Sequence, residues 1–255
     1  MINFIRPKQY LFIMVYGITL FFTGCSTHNS KNLPELRYEA LKQEARAYGA
    51  QVSLALHSQK INETLTKNCR YLDHIFNFTY LMLNHRVLPP VLQEGQNLLN
   101  LADDEALRIA DHEYQIVAPA RFVTAPPNWR DYLWMNYTSP EPVNNLLLPK
   151  NSNEEAIWKE YYSKGIEDGT TQAEQIFTVN LDHLVRDFSG MILYRKLRVK
   201  NMISAPTVSK LELGVTGNAT DLHLNDRILR ITSSAALQTD ATNWQPIIVN
   251  NSPNS

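Results

Sequence analysis

The sequence has few cysteines, no strong charge imbalance and no apolar run long enough to cross a bilayer. Its only cysteines are Cys25 and Cys69, and the apolar run at residues 11–22 has twelve residues, whereas a transmembrane helix needs about 20. Lys and Arg number 24 against 25 Asp and Glu, so the formal net charge is −1. This balance gives no overall attraction to nucleic acid or to an anionic membrane surface. With 9 Gly and 13 Pro in 255 residues, the composition is that of a globular chain.

Motifs that carry catalysis or bind nucleotides are also missing. The seven histidines form no His-Glu-x-x-His or His-x-His pair, and no P-loop is present. Ser189 lacks the flanking glycines of a nucleophile elbow, because Asp187 and Met191 occupy those places. Neighbouring acids and a histidine at residues 111–113 would point to opposite faces of a strand, and the carboxylates at residues 103–105 are typical of a solvated turn. We expect a protein that is not an enzyme and that holds no metal or cofactor.

The N-terminus has the order of a secretory signal. Arg6 and Lys8 precede the apolar run, which ends in the small-residue segment at 23–25. This segment resembles a bacterial lipobox, in which a cysteine is acylated and becomes the first mature residue. We therefore expect residues 1–24 to be a lipoprotein signal peptide, Cys25 to be lipidated and residues 25–33 to be a tether reaching at most about 30 Å. The alternative is an uncleaved N-terminal anchor.

Two long helices are predicted from apolar residues spaced three or four apart. The first covers residues 34–83, with a break expected at Gly49. Its apolar stripe consists of Ile61, Leu65, Cys69, Leu72, Phe76, Tyr80 and Leu83. The second begins at Ser152, which with Glu155 forms the pattern of a capping box, and extends to about residue 201. Gly165 and Gly169 are expected to bend or divide the second helix.

Apolar and polar residues alternate in two other regions, which predicts strands. Between residues 99 and 116 the alternation is interrupted by Asp103-Asp104, the expected turn of a hairpin. After Pro206 it resumes, with turns expected at Gly217-Asn218 and Asn225-Asp226. These patterns predict an α+β fold of long amphipathic helices with a central β segment and a C-terminal β region. We expect the domain to cover residues 34–248 and residues 249–255 to form a frayed tail.

A cluster of large aromatic side chains is the candidate site for partner binding. Trp129, Arg130, Tyr132 and Trp134 fall within six residues, and such side chains dominate cores and interfaces alike. Both interpretations stay open. A group of cations at residues 195–200 is interpreted as complementing a helix dipole, with nucleic-acid binding as the alternative.

Five longer strings resemble the DotC family of lipoproteins, which belong to type IVB (Dot/Icm) secretion systems and to the conjugation machinery of IncI-type plasmids. These strings are residues 86–92, 120–134, 187–191, 213–217 and 225–232. The resemblance extends over nearly the whole chain after the signal, from about Leu36 to Ile248.

The resemblance implies an outer-membrane lipoprotein facing the periplasm, within the ring-shaped core complex of a secretion channel. There it would act with a DotD-like lipoprotein to bring a DotH-like protein to the outer membrane, and it would carry no catalytic residues. Ser26 suits outer-membrane sorting, since the inner-membrane retention residue Asp is absent. An envelope hydrolase acting on cell wall or lipid is the rival hypothesis, and the cargo could be protein or conjugated DNA.

Overall fold

The structure is a computed structural model that describes residues 33–103 and 106–245. The α-helices within these ranges are α1 (Leu33–Lys67), α2 (Cys69–Ile75), α3 (Trp129–Leu133) and α4 (Ser152–Val199). Its six strands are β1 (Val87–Leu88), β2 (Val91–Asp103), β3 (Ala106–Ala118), β4 (Arg121–Phe122), β5 (Thr207–Gly217) and β6 (Leu222–Ser233). They pair as three antiparallel two-stranded sheets, β1 with β4, β2 with β3 and β5 with β6. The α+β prediction is confirmed, and within the described residues no helix is long and apolar enough to span a bilayer.

The frame of the molecule is a parallel pair formed by α1 and α4. Contacts along the pair advance in the same direction on both helices: Arg37 binds Glu154, Arg46 binds Asp168 and Ser53 binds Thr170. At 35 residues and 1.5 Å per residue, α1 alone is about 50 Å long. The pair is therefore a rod with the start of α1 at one end.

Glycines allow the two helices to approach closely. A methyl group on Gly49 would lie 2.5 Å from the carbonyl oxygen of Tyr162, and methyl groups on Gly165 and Gly169 would overlap the α1 carbonyls of Arg46 and Ala50. Gly49 does not divide α1, and neither Gly165 nor Gly169 interrupts α4. The predicted breaks are wrong because these glycines serve backbone-to-backbone packing, a tertiary requirement that leaves the helical dihedrals unchanged.

An extended segment at residues 134–151 returns the chain along α1 to the start of α4. At one end the Asn62 amide donates to the Met135 carbonyl (2.8 Å) and accepts from its N–H (3.2 Å). At the other end Arg37 donates to the carbonyls of Leu146 and Leu148 and to the buried Glu154 carboxylate. Hydrogen bonds from Arg37 and from the backbone N–H of Lys150 lower the pKa of Glu154 to about 2.

The N-cap of α4 is Asn151, whose side chain accepts from the N–H of Glu154 at 2.9 Å. The predicted capping box at Ser152 and Glu155 is therefore wrong by one residue. The carboxylate of Glu154 instead accepts a hydrogen bond from Arg37, which lies 117 positions earlier in the sequence. Local spacing could not reveal that contact.

The main core lies where the second halves of α1 and α4 meet α3 and the first residues of β2. Its buried members are Leu65, Phe78, Leu81, Leu88, Val91, Trp129, Leu133, Leu184 and Met191. The predicted stripe packs here from Ile61 to Phe76. Tyr80, however, is 77% exposed, because α2 ends at Ile75 and a 3-10 turn, Phe78–Leu81, replaces the last predicted helical turns.

Strand β2 crosses α4 at Gly190. A methyl group there would lie 2.5 Å from the Leu92 carbonyl oxygen and 2.6 Å from Cγ1 of Val91. A second cluster continues from this crossing and contains Leu92, Tyr194, Leu197, Ile203 and Ala235. The crossing thus joins the β2–β3 hairpin to the helical frame at the end of the rod away from Leu33.

The C-terminal β region is one hairpin. Asn225-Asp226 is not a turn as predicted but lies within β6, at a bulge opposite Gly214. Asn225 has φ 55° and Gly214 has φ 77°, the left-handed region that Asn and Gly tolerate. Asn and Gly tolerate the left-handed region both in turns and in bulges. Here they form a bulge within the hairpin, where a chain-reversing turn was predicted.

We predict that Gly169→Ala destabilises the fold although the same change normally stabilises a helix by about 1 kcal/mol. The added methyl group would overlap α1 backbone, and overpacking of this kind costs about 1–3 kcal/mol. Urea unfolding followed by circular dichroism measures the effect. Glu167→Ala, at an exposed position of the same helix, is the control and should change the free energy of unfolding little; a stabilising Gly169→Ala would contradict the close approach.

Candidate functional site

The predicted aromatic cluster forms the short helix α3. Asn128 caps it, accepting from the N–H of Arg130 at 3.0 Å, while Asp131 accepts from the N–H of Asn128 at 2.8 Å. This reciprocal capping satisfies donors that a five-residue helix would otherwise leave free. The cluster therefore has a defined conformation in which each side chain has its own direction.

Trp129 points into the core and is 1% exposed. Its indole N–H donates to Asp73 of α2 at 2.6 Å, and Arg130 both donates to the same carboxylate at 2.8 Å and lies 4.2 Å from the Trp129 ring centroid. Hydrogen bonds from Arg130 and then Trp129 lower the pKa of Asp73. Asp73 was not among the sequence candidates, since nothing local marks it as the acceptor for a helix 56 residues later.

Tyr132 is partly buried against the same core. Its ring stacks on Phe78, with centroids 6.0 Å apart, and its hydroxyl donates to Asp187 of α4 at 3.1 Å. Burial, followed by the charge of Asp187, raises the pKa of Tyr132. Tyr132 thus ties α3 to α4 as a neutral hydrogen-bond donor.

Trp134, unlike Trp129, faces outward and is 43% exposed. It lies with Tyr137, also 43% exposed, along a groove of about 1000 Å³ between α1 and the returning segment. Leu56, Gln59 and Asn62 line the α1 side of the groove. Of the four candidate residues, Arg130 and Trp134 are therefore the ones accessible to a partner, and Trp129 belongs to the core.

Three of the five strings quoted above meet at one junction. Val91 and Leu92 lie on Gly190, and Tyr132 binds Asp187. The other two strings lie in β5 and β6 of the C-terminal hairpin, where Gly214 of one pairs with Asp226 of the other. The junction and the C-terminal hairpin are the two places where those residues come together.

Both long hairpins expose large apolar side chains, which sequence alternation alone did not predict. In β2–β3, Leu99 (68% exposed) lies opposite Ile109 (64%). In β5–β6 six such side chains are between 42% and 68% exposed: Leu211, Leu213, Val215, Leu222, Leu224 and Ile228. Apolar surface gathered in this way marks interaction sites. The hairpins thus join Trp134 as candidate partner-binding surface.

The residues weighed as catalytic or metal-binding have ordinary structural surroundings. Ser189 donates to the Val185 carbonyl of its own helix at 2.6 Å. His112 pairs with Glu94 across the β2–β3 hairpin at 2.9 Å, and Cys69 packs half-buried against the main core. Across residues 33–103 and 106–245, no group of three metal-ligating side chains comes together. Cys25, Asp104 and Glu105 lie outside the described residues.

The cationic end of α4 combines core and surface. Tyr194 and Leu197 are buried, and Arg195 donates to the Met82 carbonyl at 3.2 Å. Tyr194, Leu197 and Arg195 therefore help to hold the second cluster in place. Lys196 and Arg198 are exposed on the same helix.

Comparison with known families places most of this architecture in one group. A family model described as type IV secretory system, conjugal DNA-protein transfer, matches residues 35–246. The match begins in the first turn of α1 and ends after the C-terminal hairpin, so it includes the helical frame, the junction and both hairpins. Among curated proteins no match was found.

We predict that the two tryptophans of the cluster respond differently to truncation. Trp129→Ala should lower the free energy of unfolding by about 3–5 kcal/mol, as expected for a buried aromatic side chain. Trp134→Ala should change it by less than about 0.5 kcal/mol, since this side chain is on the surface. Urea denaturation of both variants measures the difference; equal losses would mean that Trp134 also belongs to the core.

Proposed function

We propose, since this chain belongs to the type IV secretory system family for conjugal DNA-protein transfer, that it is a lipid-anchored scaffold of the secretion core complex. The family match over residues 35–246 is the observation that carries this proposal. In it, acyl chains on Cys25 hold the protein at the periplasmic face of the outer membrane, and Ser26 permits that sorting. The protein recruits other components and catalyses no reaction.

The arrangement of the fold supports such a role. The described chain starts at Leu33, only eight residues after Cys25, at the beginning of α1. The junction that carries the β2–β3 hairpin lies beyond the other end of α1, about 50 Å away. A lipid on Cys25 would then hold one end of the rod at the membrane while the hairpins extend toward proteins assembled around it.

The proposed partners are a DotD-like lipoprotein and a DotH-like channel protein in a hetero-oligomeric ring. Apolar pairs such as Leu99 with Ile109 suit protein contacts, because binding a partner would remove their apolar surface from water. Confinement of the chain to the membrane raises the effective concentration of the hairpins for such partners. No direct contact with nucleic acid is required, whether the cargo is protein or conjugated DNA.

The anchor is tested by fatty-acid labelling in the native bacterium. Cys25→Ala should abolish incorporation of a radioactive fatty acid, because the thiol that would carry the acyl chains is removed. Cys69→Ala is the matched control and should still incorporate the label. Labelling that persists in Cys25→Ala would disprove the anchor at this position.

Recruitment is tested by affinity purification from envelopes. Leu99→Thr with Ile109→Thr removes an exposed apolar pair yet keeps residues that favour strands, so the fold should persist while the amount of co-purified DotH-like protein falls. The control, Gln93→Thr with Gln115→Thr, changes another exposed cross-strand pair of the same hairpin. Undiminished recovery by the apolar-pair variant would count against the hairpin as a recruiting surface.

A further inference from the structure

The C-terminal hairpin has open edges. In the described chain β5 and β6 pair only with each other, and isolated two-stranded hairpins are marginally stable in water. Each outer edge presents backbone N–H and C=O groups that can pair with another strand. Six large apolar side chains of the hairpin are also exposed. Backbone and side chains together leave this hairpin open to pairing with a further strand.

The residues of β5 are self-complementary about Leu211. Lys210 and Glu212 flank Leu211 and form an ion pair on one face of the strand. Both side chains are exposed, at 40% and 71%. If two β5 strands pair antiparallel with Leu211 opposite Leu211, each Lys210 lies opposite the second copy's Glu212. Opposite charges in directly opposed positions stabilise strand pairing.

The same register continues from β5 into β6, where Val208 to Glu212 pair with Ile231 to Arg227 without a shift. Leu211 lies opposite Ile228 within one chain, and Glu212 lies opposite Arg227. Joining two copies would therefore create an apolar row of Ile228, Leu211 and their symmetry mates on one face. On the other face it would create a row in which Arg227, Glu212 and the second copy's Lys210 alternate in charge.

We propose that a second copy of this chain binds along β5, giving a two-fold symmetric four-stranded sheet centred on Leu211. A two-fold interface needs one patch that is complementary to itself, and the sequence from Lys210 to Glu212 meets that condition. The proposal does not depend on the secretion role.

The β6 edge is less suited to self-pairing. Centring two β6 strands on Arg227 would oppose like charges, and centring them on Ile228 would require Asp226 to face Arg230. Asp226 already accepts a hydrogen bond from Thr216 at 2.6 Å, and its neighbour Asn225 has φ 55°. The bulge at Asn225 therefore interrupts the β6 edge where that pairing would be needed.

The test uses sedimentation equilibrium of the full chain in a mild detergent that disperses any acylated protein. The wild-type chain should give a mass of two chains at micromolar concentration. Lys210→Glu places like charges opposite each other twice, so dimerisation should weaken roughly tenfold. The double variant Lys210→Glu with Glu212→Lys restores opposite charges between the two copies and should recover part of that loss, because its new lysine also faces Arg227 of the same chain.

Two controls separate self-pairing from other effects. Circular dichroism and urea unfolding should be nearly unchanged in all variants, because exposed ion pairs contribute little to stability. Arg230→Glu, an exposed change on β6, should leave the mass unchanged. A monomeric wild-type chain, a double variant as weak as Lys210→Glu, or an equal effect of Arg230→Glu would each overturn the proposal, and none of these results would affect the assignment to secretion.

Discussion

The close approach of α1 and α4 is the constraint on which the rest of the structure depends. Gly49, Gly165 and Gly169 bring backbone against backbone, and protein interiors packed this tightly have no room for an added methyl group. This spacing sets the register of Arg37 with Glu154 and of Ser53 with Thr170. The returning segment can then lie along α1 and close the long connection between two parallel helices.

At the end of the helical frame away from Leu33, the buried junction contributes to stability, whereas the hairpins carry the exposed apolar surface. The junction around Trp129, Gly190 and Tyr132 is buried and hydrogen-bonded across α2, α3 and α4. The outer parts of the β2–β3 and β5–β6 hairpins expose Leu and Ile side chains and gain little from the core. Such elements belong to the low-stability part of a fold, which agrees with a role in binding other chains. A helical rod that carries exposed apolar hairpins suits a member of the secretory family that matches residues 35–246.

Local patterns predicted the elements well where periodicity alone decides. The apolar stripe from Ile61 to Phe76, the long helix after residue 151 and the hairpin around Asp103 follow from spacing of three to four or of two. The predictions failed where one residue type serves two purposes. Gly49 was interpreted as a break and is a packing contact, while Asn225-Asp226 was interpreted as a turn and lies at a bulge. In the aromatic cluster, spacing could not separate buried Trp129 from exposed Trp134.

By itself the sequence determined the approximate positions of the two long helices and of the two long hairpins, the α+β class and the short distance from Cys25 to the first helix, because these depend on near neighbours along the chain. Only the tertiary structure decided that α1 and α4 run parallel, that Asp73 binds Trp129 and Arg130, and that alternating Leu and Ile residues face solvent. The physical reason is that alternation along a strand shows which side chains share a face. Whether that face is buried depends on the elements that pack against it. For the exposed Leu and Ile side chains of both long hairpins, the described part of the chain supplies no such neighbour.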